Sequence, residues 1–163
     1  MMIPIVPRVF DAYAMHHHRA YEPYTMTREM DESIAIELER AVQGECHAIA
    51  CYTHLMELAP SAIERAQIGE IIADEQRHAQ QFSKMYTYVT NRQPTPRQID
   101  ECPKTYRAGL EAAIVDEQKT ADAYRDLAER TMSPSMREMV LRAAADEQNH
   151  AVWFLYFLLR YKE

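Results

Sequence analysis

The sequence predicts an all-α protein: a bundle of four long helices built from two copies of one helical hairpin. Three observations point there. Apolar residues recur at helical spacing through most of the chain, and nothing alternates with period two over a useful length. The composition favours helix, with ten Met, many Ala, Glu and Gln, and only three Gly, all inside helical patterns. Finally, Asp74-Glu75-Gln76-Arg77-His78-Ala79 recurs 72 positions later as Asp146-Glu147-Gln148-Asn149-His150-Ala151. The same displacement carries Glu45 onto Glu117, each 30 residues before the Glu of its motif. Residues 38–82 and 110–154 align without a gap and share 16 of 45 positions, where unrelated sequence would share roughly 3.

Residues 1–27 are Pro-interrupted and Tyr-rich and carry His16-His17-His18. Consecutive residues on regular structure cannot all face one ion, so the triple His reads less well as a metal site than as part of an extended arm. Phe10, Tyr13, Tyr21 and Tyr24 would anchor that arm on the bundle or on a neighbouring subunit. The second domain, residues 28–163, is the bundle.

Helix 1 opens near Thr27, with an N-cap and an acidic first turn. Its inward stripe runs Ile34, Leu38, Ala41/Val42, Glu45, Ala48/Ile49, Tyr52, Leu55/Met56. Ala59-Pro60-Ser61 ends it, and Ser61 with Glu64 forms a capping box for helix 2. The stripe of helix 2 reads Ile68, Ile71/Ile72, Glu75, His78/Ala79, Phe82, Met85/Tyr86, Val89. The tight turn makes helices 1 and 2 antiparallel. Asn91 to Pro103 holds three prolines and no periodicity. A linker of this length stretches about 40–45 Å, enough to carry the chain along the bundle, and helix 3 is expected to start at the end where helix 1 starts. Lys104–Arg130 is helix 3, and Ser135–Tyr161 is helix 4, with Pro134 at its first position.

The bulk numbers exclude several functions. A formal charge of −7 with no basic run argues against nucleic acid, whose binding rests on Lys and Arg at phosphates. The longest apolar run, Ala151–Leu159, is too short to cross a bilayer, and no cationic-then-apolar leader opens the chain. Three cysteines (Cys46, Cys51, Cys102) with no C-x-x-C make a disulfide framework unexpected and fit a reducing cytoplasm. Cys46 and Cys51 read as small packing residues, and His47 and His54, off the Glu45 stripe, as solvent-facing.

The chemistry lies in the repeat. Glu45, Glu75, Glu117 and Glu147 all sit on apolar stripes, and four bare carboxylates buried at one level would be intolerable. Two divalent cations would neutralise them, with neutral His78 and His150 adding no charge. Spacing i, i+3 puts Glu and His on one helix face. One such pair from each of two helices, plus one Glu from each of the other two, makes a di-metal carboxylate set. Oxygen and imidazole ligands without thiolate suit iron or manganese.

At these residues the chain resembles the ferritin-like superfamily, particularly rubrerythrin-like proteins and bacterioferritin, over roughly residues 28–160. The resemblance implies a ferritin-like, left-handed four-helix bundle with a long helix 2–3 crossover and a pseudo-twofold axis through two iron ions. It implies that Glu75 and Glu147 bridge the metals, with Glu45/His78 and Glu117/His150 as terminal ligands. Asp74 and Asp146 are expected to hold the imidazoles crosswise, Asp74 to His150 and Asp146 to His78. Tyr52 and Tyr124 would hydrogen-bond a ligand carboxylate or supply an electron, or simply fill the core. Rubrerythrins carry a Cys-rich rubredoxin domain absent from this sequence, so the electron donor is expected to be external. Many also have a further carboxylate where this chain has Thr120. Bacterioferritin ligates haem through a Met at the position of Gln76, so no haem is expected. The function implied is a di-iron, or dimanganese, redox protein that oxidises Fe²⁺ and reduces H₂O₂ or O₂. An iron-storage protein and a dimanganese catalase-like enzyme are the alternatives. Trp153 and Tyr156 point away from the inward stripe of helix 4, so a homodimer or larger homo-oligomer is expected.

Overall fold

The computed structural model describes residues 28–95, 100–131 and 133–162. The N-terminal arm with His16–His18, and the Thr27 cap, lie outside them. The four helices are α1 (Arg28–Leu58), α2 (Ala62–Thr90), α3 (Tyr106–Arg130) and α4 (Pro134–Arg160), with no strand among the described residues.

Local chemistry sets the helix ends. The Glu64 backbone N–H donates to Ser61 Oγ at 3.2 Å and the Ser61 N–H to Glu64 Oε2 at 3.1 Å, so both ends of the capping box are closed. Asn91 terminates α2 in the left-handed region at φ 56°, its N–H donating to the Thr87 carbonyl, a conformation its short polar side chain tolerates. Thr105 caps α3, so the helix begins at Tyr106 and not at Lys104. Ser133 caps α4, with Pro134 in its first turn.

The helices form a square. Antiparallel α1 and α2 pack along their length, as do α3 and α4, while α1–α3 and α2–α4 contacts close the other sides. Leu55, near the end of α1, lies against Gly109, near the start of α3. Helix α3 therefore starts where α1 ends, which corrects the expected starting end. The reason is geometric: α2 finishes at the end where α1 began, so a linker spanning the bundle must deliver the chain to the opposite end.

Two apolar clusters make the core. Ile34, Leu38, Val42, Phe82, Met85, Leu127 and Val140 belong to one, and Leu55, Ile68, Ile71, Leu110, Phe154 and Phe157 to the other. Equivalent residues of the repeat make equivalent contacts. The Tyr52 and Phe154 rings lie 4.9 Å apart, and Tyr124 and Phe82 lie 4.7 Å apart.

The cysteines depart from expectation. Cys51 on α1 is joined to Cys102 in the linker, with Cα atoms 5.2 Å apart, while Cys46 is free. Counting and local spacing could not show this, because the partners are 51 residues apart and meet only when the crossover returns alongside α1. The bond also removes the basis on which the cysteines suggested a reducing compartment. None of the described helices is long and apolar enough to cross a membrane. On α4, Val152, Leu155, Tyr156 and Leu159 form an exposed apolar face. Trp153 is half-buried against Tyr156 and Phe157.

Two glycines distinguish close from open packing. A Cβ at Gly109 would come 2.5 Å from Leu55 Cδ1, whereas at Gly44 it would meet nothing within 4 Å. Ala is better than Gly in a helix by about 1 kcal/mol, and overpacking costs about 1–3 kcal/mol. Gly44→Ala is therefore expected to raise stability by up to about 1 kcal/mol, and Gly109→Ala to lower it by about 1 kcal/mol net. Urea unfolding midpoints check both; stabilisation by Gly109→Ala would contradict this seam.

Candidate metal centre

Between the two apolar clusters lies a polar layer. Glu45, Glu75, His78, Glu117, Glu147 and His150 are all buried there, Glu75 and Glu147 at 1% exposure. Each helix delivers its share because the i, i+3 and i, i+7 positions of an apolar stripe face inward, whatever residue occupies them.

The ligand atoms fall into two groups. Glu45, Glu75, His78 and Glu147 form one, and Glu75, Glu117, Glu147 and His150 the other; within each, one ligand atom per residue lies within 4.8 Å of the rest. His78 Nδ1 is 3.2 Å from Glu75 Oε2, 3.1 Å from Glu147 Oε1 and 3.9 Å from Glu45 Oε1. His150 Nδ1 is 3.1 Å from Glu75 Oε1, 3.4 Å from Glu147 Oε2 and 3.7 Å from Glu117 Oε1. Glu75 and Glu147 thus present one oxygen to each group. Neighbouring ligands around an octahedral ion, bonded at about 2.1 Å, lie about 3.0 Å apart, and the cluster matches that spacing.

Satisfaction of hydrogen bonds supports the same fit. Glu75 Oε1, Glu147 Oε1 and His150 Nδ1 are buried without a hydrogen bond, although His150 Nδ1 and Glu75 Oε1 are only 3.1 Å apart. Distance is adequate and direction is not: the atoms converge on a common point instead of aiming at one another. Buried polar atoms ordinarily find partners; among the described residues Tyr106 Oη, outside the layer, is the one other buried side-chain atom without one. The donor set can hold metal ions.

A second layer orients the first. His78 Nε2 lies 3.2 Å from Asp146 Oδ2, and His150 Nε2 lies 3.3 Å from Asp74 Oδ2, crosswise between α2 and α4. With Nε2–H donating to Asp, each ring turns Nδ1 into the cluster, the arrangement that fixes a metal-binding tautomer. Tyr52 Oη donates to Glu117 Oε1 at 2.8 Å, and Tyr124 Oη donates to Glu45 Oε1. Burial, reinforced by the Glu117 and Glu45 charges respectively, pushes both tyrosines well above their usual range, so each keeps its proton.

The sequence did not single out Arg77. Its guanidinium donates to Asp74 and, at 2.9 Å, to Asp146, tying together the two carboxylates that hold the imidazoles. Burial opposes ionisation of Asp74, but hydrogen bonds from Arg77 and His150 outweigh it and hold the carboxyl below its ordinary range. Arg77 lies inside the repeated motif, yet its counterpart is Asn149, so a search for matched residues passes over it. His47 is half-buried, with Nε2 3.5 Å from Cys51 Sγ, and His54 is partly exposed beside Glu57. Neither His joins the cluster. Thr120 stays outside it too, lining a groove of about 240 Å³ with Arg40, Gly44, Lys119 and Tyr124.

This fold has relatives. A ferritin-like, diiron-carboxylate protein from Bacillus anthracis str. Ames superposes with TM-score 0.68 and 24% identity, covering 81% of this chain and 99% of that one. At that identity the likeness establishes the fold. An uncharacterised protein of Bacillus subtilis (strain 168), YhjR, is 45% identical over 142 residues, spanning 87% of this chain and 98% of that protein. The chain belongs to the YhjR family. No family model matches the sequence. In this member of the YhjR family, a ferritin-like bundle carries the six-residue cluster between its two apolar layers.

Without a cation the layer must share protons. Burial, then the Glu147 and Glu75 charges, raises Glu45 well above the ordinary 4.5. Burial and the adjacent Glu147 raise Glu117 to about 10. For Glu147 burial is outweighed by the close approach of Glu117, His150 and His78, which hold it at about 2. For His78 burial is outweighed by Glu147 and Glu75, which raise it from 6.5 to about 9. Groups raised on folding stabilise fully below their unfolded pKa, and that stability is lost as pH climbs through the folded value. Glu147, lowered on folding, contributes above 4.5 and loses its contribution as pH falls toward 2. Metal-free protein is therefore expected to be most stable near pH 4.5 and to weaken progressively as pH rises toward 9–10. Metal binding needs deprotonated ligands, so chelation should lower the melting temperature more at neutral pH than at pH 5. Melting curves of chelated and metal-loaded protein across this range check it; curves unchanged by verified metal removal would count against the cluster as a metal site.

Proposed function

We propose that the protein is a di-metal redox protein, holding two iron ions with manganese as the alternative, and that it reduces hydrogen peroxide or O₂ using electrons from an external donor. The observation that carries this reading is the split of Glu75 and Glu147, one oxygen of each toward either imidazole. Glu45 with His78 would complete one ion's ligand set and Glu117 with His150 the other's. Two redox-active cations held by this donor set would supply two electrons, which matches the reduction of H₂O₂ to water or of O₂ to peroxide. The protein's own part is to fix geometry and protons. Asp74, Asp146 and Arg77 lock the imidazole rings. Tyr52 and Tyr124 hold protons at Oη against Glu117 Oε1 and Glu45 Oε1, which fixes the orientation of both carboxylates in the layer. The two apolar clusters keep bulk water from the layer. The groove over Gly44, Thr120 and Tyr124 offers a route for a small oxidant. A second copy of the chain would cover Val152, Leu155 and Leu159 on α4, and sedimentation as a dimer is the expected outcome.

The test is stopped-flow oxidation of Fe²⁺-loaded protein by H₂O₂ and O₂ separately, in the wild type and in Glu75→Ala. Peroxide is expected to react at least about tenfold faster, about 1.4 kcal/mol in barrier, and Glu75→Ala to lose most of the rate. Faster reaction with O₂, followed by a growing ferric core, would indicate storage instead. Rapid O₂ evolution from H₂O₂ in manganese-loaded protein, with no iron reaction, would indicate a catalase. Elemental analysis of the protein as purified decides between iron and manganese.

A further inference from the structure

The Cys51–Cys102 bond lies outside the metal layer, and its two ends are held very differently. Cys51 is fixed in the middle of α1, one residue before Tyr52, whose hydroxyl donates to Glu117. Cys102 sits in irregular chain between exposed Glu101 and half-buried Pro103, where no helical hydrogen bonds hold the backbone. Both cysteines are half-buried, so the bond is partly open to solvent. One turn before Cys51, the His47 ring lies with Nε2 3.5 Å and Nδ1 4.0 Å from Cys51 Sγ. A ring N–H at that position can hydrogen-bond a sulfur that acquires negative charge.

We propose that Cys51–Cys102 is a thiol–disulfide exchange site for a dithiol protein reductant, attacked at Cys102, and that its opening releases the crossover linker from α1. In the first step a reductant thiolate forms a bond to Cys102 Sγ. The Cys51–Cys102 bond breaks, and Cys51 departs as a thiolate beside the His47 N–H. In the second step the reductant's other thiol attacks its own sulfur in the mixed disulfide and releases Cys102. The reductant leaves as a disulfide; two electrons and two protons have moved to Cys51 and Cys102. Direction follows from the leaving group, because exchange is faster when the departing thiolate is stabilised, and among the described residues an imidazole lies against Cys51 Sγ. Reduction thereby couples a thiol pool to the attachment of the linker on the helix that carries Glu45 and Tyr52. A dithiol as electron source for the metal layer rests on the redox function proposed above; the exchange itself does not.

The experiment uses the protein as purified, under native conditions, with quenching in acid and mapping of alkylated peptides by mass spectrometry. Dithiothreitol is expected to open the bond within about tenfold of the rate seen in urea-unfolded protein, as befits an accessible disulfide. Glutathione adducts are expected on Cys102, with Cys51 alkylated. His47→Phe should slow opening several-fold, and His47→Gln, which keeps an N–H donor, should restore much of the rate. Hydrogen exchange at residues 100–105 should rise on reduction. A bond that excess dithiothreitol cannot open until the protein unfolds would overturn the proposal and leave a structural clasp. Adducts on Cys51, or indifference to His47→Phe, would overturn the assigned direction, and unchanged exchange at 100–105 the release of the linker. Failure of the stopped-flow reactions with intact exchange would refute the redox function alone.

Discussion

Everything in the bundle depends on one constraint: four carboxylates and two imidazoles share a layer from which water is excluded. Bringing such groups out of water costs several kcal/mol per ion even after relaxation. The layer consequently divides the core into two apolar clusters, each containing residues from all four helices. No single helix or hairpin could provide this. A hairpin brings two Glu and one His to the layer, and the other hairpin must bring the rest, together with the walls that exclude water.

The duplication makes each half depend on the other. Tyr52 of the first hairpin donates to Glu117 of the second, and Tyr124 of the second donates to Glu45 of the first. His78 pairs with Asp146, and His150 with Asp74. In every case the orienting residue comes from the opposite hairpin, so neither hairpin holds its own ligands in place. This crosswise support follows from pseudo-twofold symmetry, which turns any contact between the halves into two. The repeat aligns Tyr52 with Tyr124 and Phe82 with Phe154, and the resulting ring pairs, Tyr52–Phe154 and Tyr124–Phe82, belong to the two clusters on either side of the layer.

The layer was legible in the sequence because periodicity and repetition act on the same residues. Glu45, Glu75, Glu117 and Glu147 stand at positions where helical spacing demands an apolar side chain, and a charge there demands explanation. The crosswise Asp–His pairs were legible through the same motif. What escaped had no period and no copy. Cys51 pairs with a residue in the aperiodic linker. Arg77 is matched by Asn149, and its role depends on α2 and α4 bringing Asp74 and Asp146 within reach of one guanidinium. The starting end of α3 is a question of direction, on which side-chain spacing is silent. The length of the linker bears on it only once the end at which α2 finishes is followed through.

Symmetry holds inside the layer and breaks immediately outside it. Gly44 aligns with Asp116, His47 with Lys119, Ala48 with Thr120 and Cys51 with Ala123. Two equivalent ligand sets require equivalent ligands, and nothing requires equivalent surroundings, so the copies could diverge on their outer faces without disturbing the layer. The result is two halves with the same donors in different settings. The Glu45–His78 half lies beneath Tyr124, which also lines the groove bounded by Arg40, Gly44, Lys119 and Thr120. The Glu117–His150 half lies beneath Tyr52, adjacent in α1 to the half-buried Cys51–Cys102 bond. With six donors that match residue for residue, any difference in access between the two halves must come from these outer residues. Chemistry peculiar to this chain is therefore to be sought on the outer faces of α1 and α3 and at the Cys51–Cys102 bond, where the two copies no longer agree.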